Sequence, residues 1–268
     1  MLVSVLFLLT LVGLPGCGAA PSTHWVGTGG STVPAGPGDD NGGGTSGPPA
    51  SGADSFGDRL PSFPAPPVPA PIKVPGGPYV PIYKRLPVSQ PVAFLTMDDG
   101  QVQLPVAIRL MRAAHVPFTM FLIAPVAAHN PGFFSQLETE GGVVEDHTVD
   151  HPEMKGRPYE FQRREVCDAR ISLTHTFGVS PTLFRPPYGD YDQSTLRAVH
   201  DCGLKAAFYW SETVNNGTVF YQSADHRIHA GDIILMHFRP RFLDDVIAAL
   251  TAIHTAGLTP ALLESYLT

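Results

Sequence analysis

From about residue 87 to the C-terminus, short apolar runs alternate with amphipathic stretches, and this alternation constrains the fold more than any other feature. The runs typical of buried strands are Val92–Met97, Phe118–Ile123, Val143–Glu145, Thr182–Arg185, Lys205–Trp210 and Asp232–Met236. The stretches typical of helices are Val102–Ala114, Gly132–Glu140, Glu160–Phe177, Gln193–His200 and Phe242–Ala256. Alternating strands and helices form parallel sheets with right-handed crossovers. Residues 87–268 are therefore predicted to form one α/β domain, either an incomplete barrel or an open sheet.

The stretch before this domain has the composition of a linker. The chain holds 28 prolines and 27 glycines, many of them in segments such as GTGGSTVPAGPGDDNGGG and PSFPAPPVPAPIK. Such segments bury too little apolar surface to offset the entropy lost on ordering. We expect residues 18–86 to be a linker, flexible in its first half and stiffened by proline in its second.

The N-terminal sequence MLVSVLFLLTLVGLPGC combines an apolar run with a cysteine. The run over residues 2–12 is short for a bilayer span and fits the core of a signal peptide. The four residues that end at Cys17 resemble the lipobox of bacterial lipoproteins, which implies lipidation of Cys17. We expect residues 1–17 to direct export and Cys17 to anchor the protein to the outer face of the cell membrane. The alternative is an ordinary cleaved signal and a secreted protein.

The two remaining cysteines, Cys167 and Cys202, form an even pair that suits an exported protein. Each lies in or just after a predicted helix, so in an oxidising compartment a disulfide could join the two helices. Two unpaired, buried thiols are the alternative.

Charge and hydropathy exclude two classes of protein. The net charge of −7 and the pI near 5.8 give no basic footprint, which argues against nucleic acid as a partner. No run of 18 or more apolar residues follows the N-terminus, which excludes a polytopic membrane protein.

Two motifs carry candidate metal ligands. Asp98 and Asp99 close the first strand in TMDDG, where one carboxylate can bind a metal while its neighbour handles a proton. An ordinary Asp-Gly turn is the simpler interpretation. His147 and His151 are four residues apart in EDHTVDH, and on a helical turn this spacing places both imidazoles on one face.

Two further motifs also follow predicted strands. In RPPYG, which contains Arg185 and Tyr188, two prolines fix the backbone just past a strand. His237 ends the apolar run IILMH. In a parallel α/β domain the carboxyl ends of the strands meet where active sites lie. We therefore expect all four motifs to converge on one site.

This combination resembles the polysaccharide deacetylase family, also called carbohydrate esterase family 4 or the NodB-homology domain, over about residues 90 to 260. TMDDG corresponds to the family's T-F-D-D-G, HTVDH to H-S/T-x-x-H, RPPYG to R-x-P-Y and ILMH to L-x-H, in the same order. The resemblance implies a distorted, incomplete (β/α) barrel of parallel strands.

The resemblance also implies a metal site of Asp99, His147 and His151, with Zn²⁺ preferred and Co²⁺ or Ni²⁺ as alternatives. Two imidazoles and one carboxylate leave coordination positions open for water, as catalytic zinc requires.

The same resemblance implies the catalytic roles. Asp98 would be the general base, paired with Arg185, and His237 the general acid. The backbone N–H of Tyr188 would stabilise the oxyanion. Contacts with the substrate are implied for Pro187, Tyr188, Trp210 and Leu235.

One motif departs from the family. In YWSETVNNGT the acidic partner of the arginine falls on Thr213 or, with a slip of one residue, on Glu212. The family's tryptophan falls on Asn216 or Gly217. We expect Glu212 to support Arg185.

These expectations describe a monomeric, metal-dependent hydrolase that removes N-acetyl groups from amino sugars of peptidoglycan or chitin-like oligomers. Membrane contact would occur only through the N-terminal lipid. The first alternative is the same chemistry on an O-acetyl ester, where the leaving alkoxide depends less on His237. The second is a non-catalytic glycan-binding module with the same fold, favoured only by the altered SETVNNG segment.

Overall fold

The apolar runs after residue 87 form the central strands of a curled ten-stranded sheet. A computed structural model describes residues 56–268. The strands are β1 (Ile82–Tyr83), β2 (Val92–Asp99), β3 (Phe118–Leu122), β4 (Gly142–Asp146), β5 (Leu183–Phe184), β6 (Ala206–Phe208), β7 (Glu212–Asn215), β8 (Thr218–Tyr221), β9 (Ile233–His237) and β10 (Thr259–Ala261). Their order is β1-β6-β5-β4-β3-β2-β9-β7-β8, with β10 beside β2. All pairs are parallel except the hairpin of β7 and β8.

Helices connect the strands and cover the sheet. They are α1 (Pro105–Ala114), α2 (Ala124–His129), α3 (Pro131–Thr139), α4 (Tyr159–Phe177), α5 (Gln193–Asp201) and α6 (Phe242–Thr255). The sequence pattern did not predict α2, which has only six residues. The predicted α/β half-barrel of parallel strands is confirmed. No helix among residues 56–268 is long and apolar enough to cross a bilayer.

β2 lies at the centre of the molecule because both of its faces are apolar. Leu95 and Met97 face the core that contains α1, α3 and α6, whereas Val92 and Phe94 face a second core near the C-terminus. Alternate residues of a strand point to opposite faces, so a strand buried on both sides reads as a continuous apolar run. The carboxylates at the end of β2 are thereby held by a strand that is buried on both faces.

Residues 56–86, predicted as part of the linker, pack on the domain, so ordered structure begins before residue 87. Phe56 joins the main core, Leu86 is fully buried and β1 pairs with β6. The backbone of Ile72 accepts a hydrogen bond from the N–H of Thr268. Prolines lower the entropy lost on ordering, so scattered apolar residues suffice to hold this segment. The predicted signal, Cys17 and the first part of the linker lie outside the described residues.

The structure forms the predicted disulfide between Cys167 of α4 and Cys202 after α5, with Cα atoms 5.1 Å apart. The bond therefore ties two neighbouring helices on one side of the sheet.

Replacing both cysteines with serine is expected to lower the free energy of unfolding by about 3–4 kcal/mol, because the bridge closes a loop with a sequence separation of 35. Urea denaturation of the double variant, beside the parent protein with and without reductant, measures the loss. A parent protein equally stable in both conditions would contradict this expectation.

Candidate active site

The two carboxylates at the end of β2 lie in different environments. Asp98 is 2% exposed and pairs in register with His237 of β9. Asp99 has a left-handed backbone with φ of 74°, and Gly100 follows with φ of 89°. A Cβ on Gly100 would lie 2.8 Å from the ring of Phe134, so this turn requires glycine. The tight turn separates the two side chains.

Asp98 forms a buried ion pair with Arg185, which follows β5. The guanidinium donates to the Asp98 carboxylate at 2.7 Å and to the Thr96 hydroxyl at 2.9 Å. It also donates to the backbone carbonyl of Tyr209 at 3.1 Å and lies 4.3 Å from the ring centre of Phe121. Arg185 therefore compensates the charge of Asp98 and fixes the carboxylate's orientation.

Asp99, His147 and His151 bring three ligand atoms within 4.8 Å of one another. The Asp99 Oδ1 atom lies 3.5 Å from Nε2 of His147 and 3.4 Å from Nε2 of His151, and it is buried without a hydrogen-bond partner. The Nδ1 of His147 donates to the backbone carbonyl of Arg185 at 2.7 Å, which leaves the Nε2 lone pair for the site. This donor set fits a divalent metal, and zinc in particular.

The electrostatics of Asp99 and His151 suit metal binding. Burial alone would raise the pKa of Asp99, but the imidazoles of His147, His237 and His151 lower it. Burial and the charge of His147 lower the pKa of His151. For His147, burial is outweighed by Asp98 and Asp99, which raise its pKa. The site therefore favours an ionised carboxylate and a neutral His151, the forms that metals bind.

The two histidines lie in a loop after β4, not on the helical turn that their spacing suggested. Thr148 and His151 have left-handed backbones with φ of 71° and 54°. The Asp146 carboxylate accepts the N–H of Thr148 at 2.9 Å, and the Thr148 hydroxyl accepts the N–H of His151 at 3.0 Å. Glu165 of α4 accepts the N–H of Asp150 at 2.9 Å. These acceptors pair with backbone N–H groups of the loop, which have no partner in a helix or strand.

A cavity of about 470 Å³ brings most of the predicted residues together. Tyr188 is 66% exposed, and its backbone has φ of 60°. Its ring centre lies 4.6 Å from that of His151. Burial lowers the pKa of His237, although Asp98 and Asp99 act against this shift. The predicted residues that line the cavity are Asp98, Asp99, His147, His151, Tyr188, Trp210, Leu235 and His237.

Three predicted residues do not line the cavity. Arg185 is fully buried and pairs with Asp98, which does line it. Pro187 is buried and directly precedes Tyr188. The prediction that Glu212 supports Arg185 is wrong. Glu212 and Thr213 are adjacent on β7 and therefore point to opposite faces, and Thr213 is the one that lines the cavity. Neither carboxylate oxygen of Glu212 has a hydrogen-bond partner among residues 56–268.

Other residues of the site were missed by sequence reasoning. Thr96 belongs to the TMDDG motif and could have been found there, whereas the Tyr209 carbonyl left no signal. Asn216-Gly217, with φ of 54° and 76°, is the dipeptide typical of a hairpin turn and could have predicted β7 and β8. This hairpin brings Phe220 into the cavity.

The position of Glu212 predicts a dependence of stability on pH. Burial and the neighbouring Asp232 raise the pKa of Glu212 from 4.5 to about 8. A raised pKa contributes stability that is complete below pH 4.5 and is lost as pH rises towards about 8. Glu212→Gln stays neutral at every pH. Relative to this variant, we expect the free energy of unfolding of the parent protein to fall by about 1–3 kcal/mol between pH 4.5 and about 8. Thermal unfolding of both proteins at several pH values measures this difference, and parallel curves would refute it.

The chain is similar in sequence to known deacetylases. A family model described as polysaccharide deacetylase matches residues 85–207. An uncharacterised protein of Streptomyces coelicolor is 34% identical over 235 residues, which cover 87% of this chain and 79% of that protein. The chain belongs to the polysaccharide deacetylase family. A chitooligosaccharide deacetylase of Sinorhizobium fredii is 25% identical over 67% of this chain and 93% of its own length. A peptidoglycan-N-acetylglucosamine deacetylase of Bacillus cereus is 24% identical, and the match covers 58% of each protein.

Solved structures of the deacetylase family share the fold. A family 4 carbohydrate esterase from Streptomyces lividans in complex with acetate has a TM-score of 0.57 at 24% identity, covering 65% of this chain and 93% of its own. A family 4 pseudoenzyme from Bacillus anthracis has a TM-score of 0.61 at 18% identity, covering 69% of this chain and 68% of its own. Since a carbohydrate esterase and a pseudoenzyme share this fold, the fold alone does not establish activity.

Proposed function

We propose that the protein is a metal-dependent hydrolase that removes N-acetyl groups from amino sugars of a polysaccharide, either peptidoglycan or chitin-like oligomers, and acts as a monomer. One observation carries the proposal: the cavity lined by Asp98, the buried partner of Arg185, is also lined by three convergent metal ligands around an unpartnered Asp99 oxygen. The names of the relatives support the substrate class. A glycan-binding module would have little use for a general base beside a metal ligand.

The metal would be held by Asp99, His147 and His151, with zinc preferred and cobalt or nickel as alternatives. When bound, a divalent metal lowers the pKa of water and polarises an acetyl carbonyl.

In the first step of the reaction, when water attacks the acetyl carbon, groups of the protein accept the proton of the water and stabilise the developing negative charge. Asp98 accepts a proton from the attacking water, and Arg185 pairs with the carboxylate and holds it at the cavity. The backbone N–H of Tyr188, presented by a left-handed turn, donates to the oxyanion that develops on the acetyl carbonyl oxygen.

The leaving group and the acetyl methyl contact the other side of the cavity. His237 donates a proton to the leaving nitrogen as the carbon–nitrogen bond breaks. Leu235 and Trp210 line the cavity, and Leu235 supplies an apolar contact for the methyl group.

One observation favours ester hydrolysis as a second candidate. Burial lowers the pKa of His237, which reduces the fraction of acid available at neutral pH. An alkoxide leaves with less help from an acid than an amine does. Replacing His237 with alanine discriminates the candidates, because an N-deacetylase loses far more activity on the amide than on acetylated xylan.

Acetate release from N-acetylglucosamine oligomers tests the proposal. The full chain is assayed after treatment with a chelator, and again after addition of Zn²⁺. Release that disappears with the chelator and returns with zinc supports the proposal. Stoichiometric zinc binding without acetate from amide or ester substrates would support the non-catalytic glycan-binding module instead.

The proposal extends to the membrane, where lipidated Cys17 would hold the enzyme beside the cell wall. A clickable palmitate analogue supplied to expressing cells is expected to label the protein, and Cys17→Ala to abolish the labelling. Labelling that survives this substitution would refute the anchor.

A further inference from the structure

A second cavity, of about 710 Å³, lies between β8 and α6, and its lining is basic. Three arginines, Arg59, Arg227 and Arg241, line it together with a single acidic residue, Asp244. We call it the basic cavity. The whole chain has a net charge of −7, so this local excess of positive charge is a departure from the rest of the protein.

The arginines of the basic cavity are only partly neutralised, by Asp244 and, for Arg241, by the charge of Asp245. Asp244 is shared, since Arg59 contacts one of its oxygens at 3.2 Å and Arg241 the other at 2.9 Å. The guanidinium of Arg227 forms no ion pair or hydrogen bond with any of residues 56–268. Two cations on one carboxylate and a third without a partner leave positive charge available to a ligand.

The basic cavity and the active-site cavity lie on opposite sides of one strand. Phe220 of β8 is 53% exposed and lines the active-site cavity, whereas its neighbours Val219 and Tyr221 line the basic cavity. The loop before α6 repeats this arrangement, with Arg239 at the active site and Arg241 at the basic cavity. A polymer that crosses β8 would therefore meet positive side chains on both sides.

Other residues that line the basic cavity suit a sugar chain. Ile247 and Ala248 of α6 provide apolar surface, and Tyr221, whose ring stacks with that of His226 at 5.9 Å between centres, provides an aromatic surface for the carbon-bound hydrogens of a sugar. Arginine forms forked hydrogen bonds with carboxylates, so the arginines of the same lining favour an acidic substituent.

We propose that the basic cavity binds a carboxylate-bearing segment of the same polysaccharide whose acetyl group enters the active site. The identity of the polymer rests on the proposed function, but binding at the basic cavity requires no turnover. The proposal favours an acidic glycan over a neutral, chitin-like chain.

Direct binding of two labelled probes tests this proposal on the full chain. One probe is an oligosaccharide of alternating N-acetylglucosamine and N-acetylmuramic acid, whose lactyl groups carry carboxylates. The other is a neutral N-acetylglucosamine oligomer of equal length. Fluorescence anisotropy is measured for the parent protein, for Arg227→Glu and for the matched control Arg164→Glu, an exposed arginine on α4 that lines neither cavity.

We expect the parent protein and Arg164→Glu to prefer the carboxylated probe. Arg227→Glu should reduce this preference about tenfold, because it removes one attractive charge and adds a repulsive one. Salt should weaken the preference in the parent protein, since exposed charges are screened.

Equal affinity of the parent protein for both probes, or equal losses in the two variants, would overturn the proposal. Thermal unfolding is recorded for each variant to check that it is folded. Binding with no acetate release from any substrate would refute the proposed hydrolase activity, but not the proposal that the basic cavity binds a carboxylate-bearing glycan.

Discussion

Asp98→Asn is expected to lower acetate release by about 10²–10⁴-fold, the usual contribution of a general base. Asparagine keeps the shape of the side chain but cannot accept the proton of the attacking water. Because the metal ligands remain in place, zinc should still bind with a stoichiometry of one. The measurements are initial rates on N-acetylglucosamine oligomers at saturating zinc and zinc titration of the same protein.

Asp150→Asn is the matched control, because Asp150 is exposed on the histidine loop and does not line the cavity. We expect this variant to retain the parent rate. If Asp98→Asn keeps the parent rate while it binds zinc, Asp98 is not the base. Thermal unfolding is recorded beside the rates, because the substitution leaves the buried charge of Arg185 without its partner.

Arg185→Met is expected to lower the free energy of unfolding by about 3–5 kcal/mol, because it leaves the buried Asp98 carboxylate without compensation. The variant also removes the contacts with Thr96 and with the Tyr209 carbonyl. Urea denaturation of the metal-free protein measures the loss. Acetate release should fall as well, since the base is no longer oriented.

Arg185→Lys separates charge from geometry. Lysine retains a positive charge near Asp98 but cannot reach all three partners of the planar guanidinium. We expect most of the stability to return and most of the activity to remain lost. If Arg185→Met and the parent protein have the same midpoint of urea unfolding, the Asp98–Arg185 pair does not stabilise the fold.

The central fold could be predicted because its pattern is local. β2, β3 and β9 are apolar on both faces, and short runs of this kind between helical stretches favour parallel strands. The placement of Asp99, His147 and Arg185 followed from the same pattern, since each lies at or just after the end of a strand. In parallel sheets these ends share one edge.

Other features depend on distant contacts and could not be predicted in the same way. Glu212 and Thr213 differ by one position, and only the phase of β7 in the sheet decides which one faces the site. The segment over residues 56–86 looks like a linker because its apolar residues are scattered. These residues pack against apolar surface that exists only in the folded domain. The Tyr209 carbonyl reaches Arg185 through the backbone, which no side-chain pattern reveals.

The β7–β8 hairpin lies at one end of the sheet order, whereas the chemical groups come from β2, β9 and the loops after β4 and β5 near its middle. Edge hairpins and loops tolerate sequence change better than central strands do. Substrate preference in this protein can therefore diverge during evolution by substitutions in a short peripheral segment. Because the hairpin is separate from the catalytic groups, protein engineers can use substitutions in it to change which polymer is recognised, without redesign of the catalytic centre.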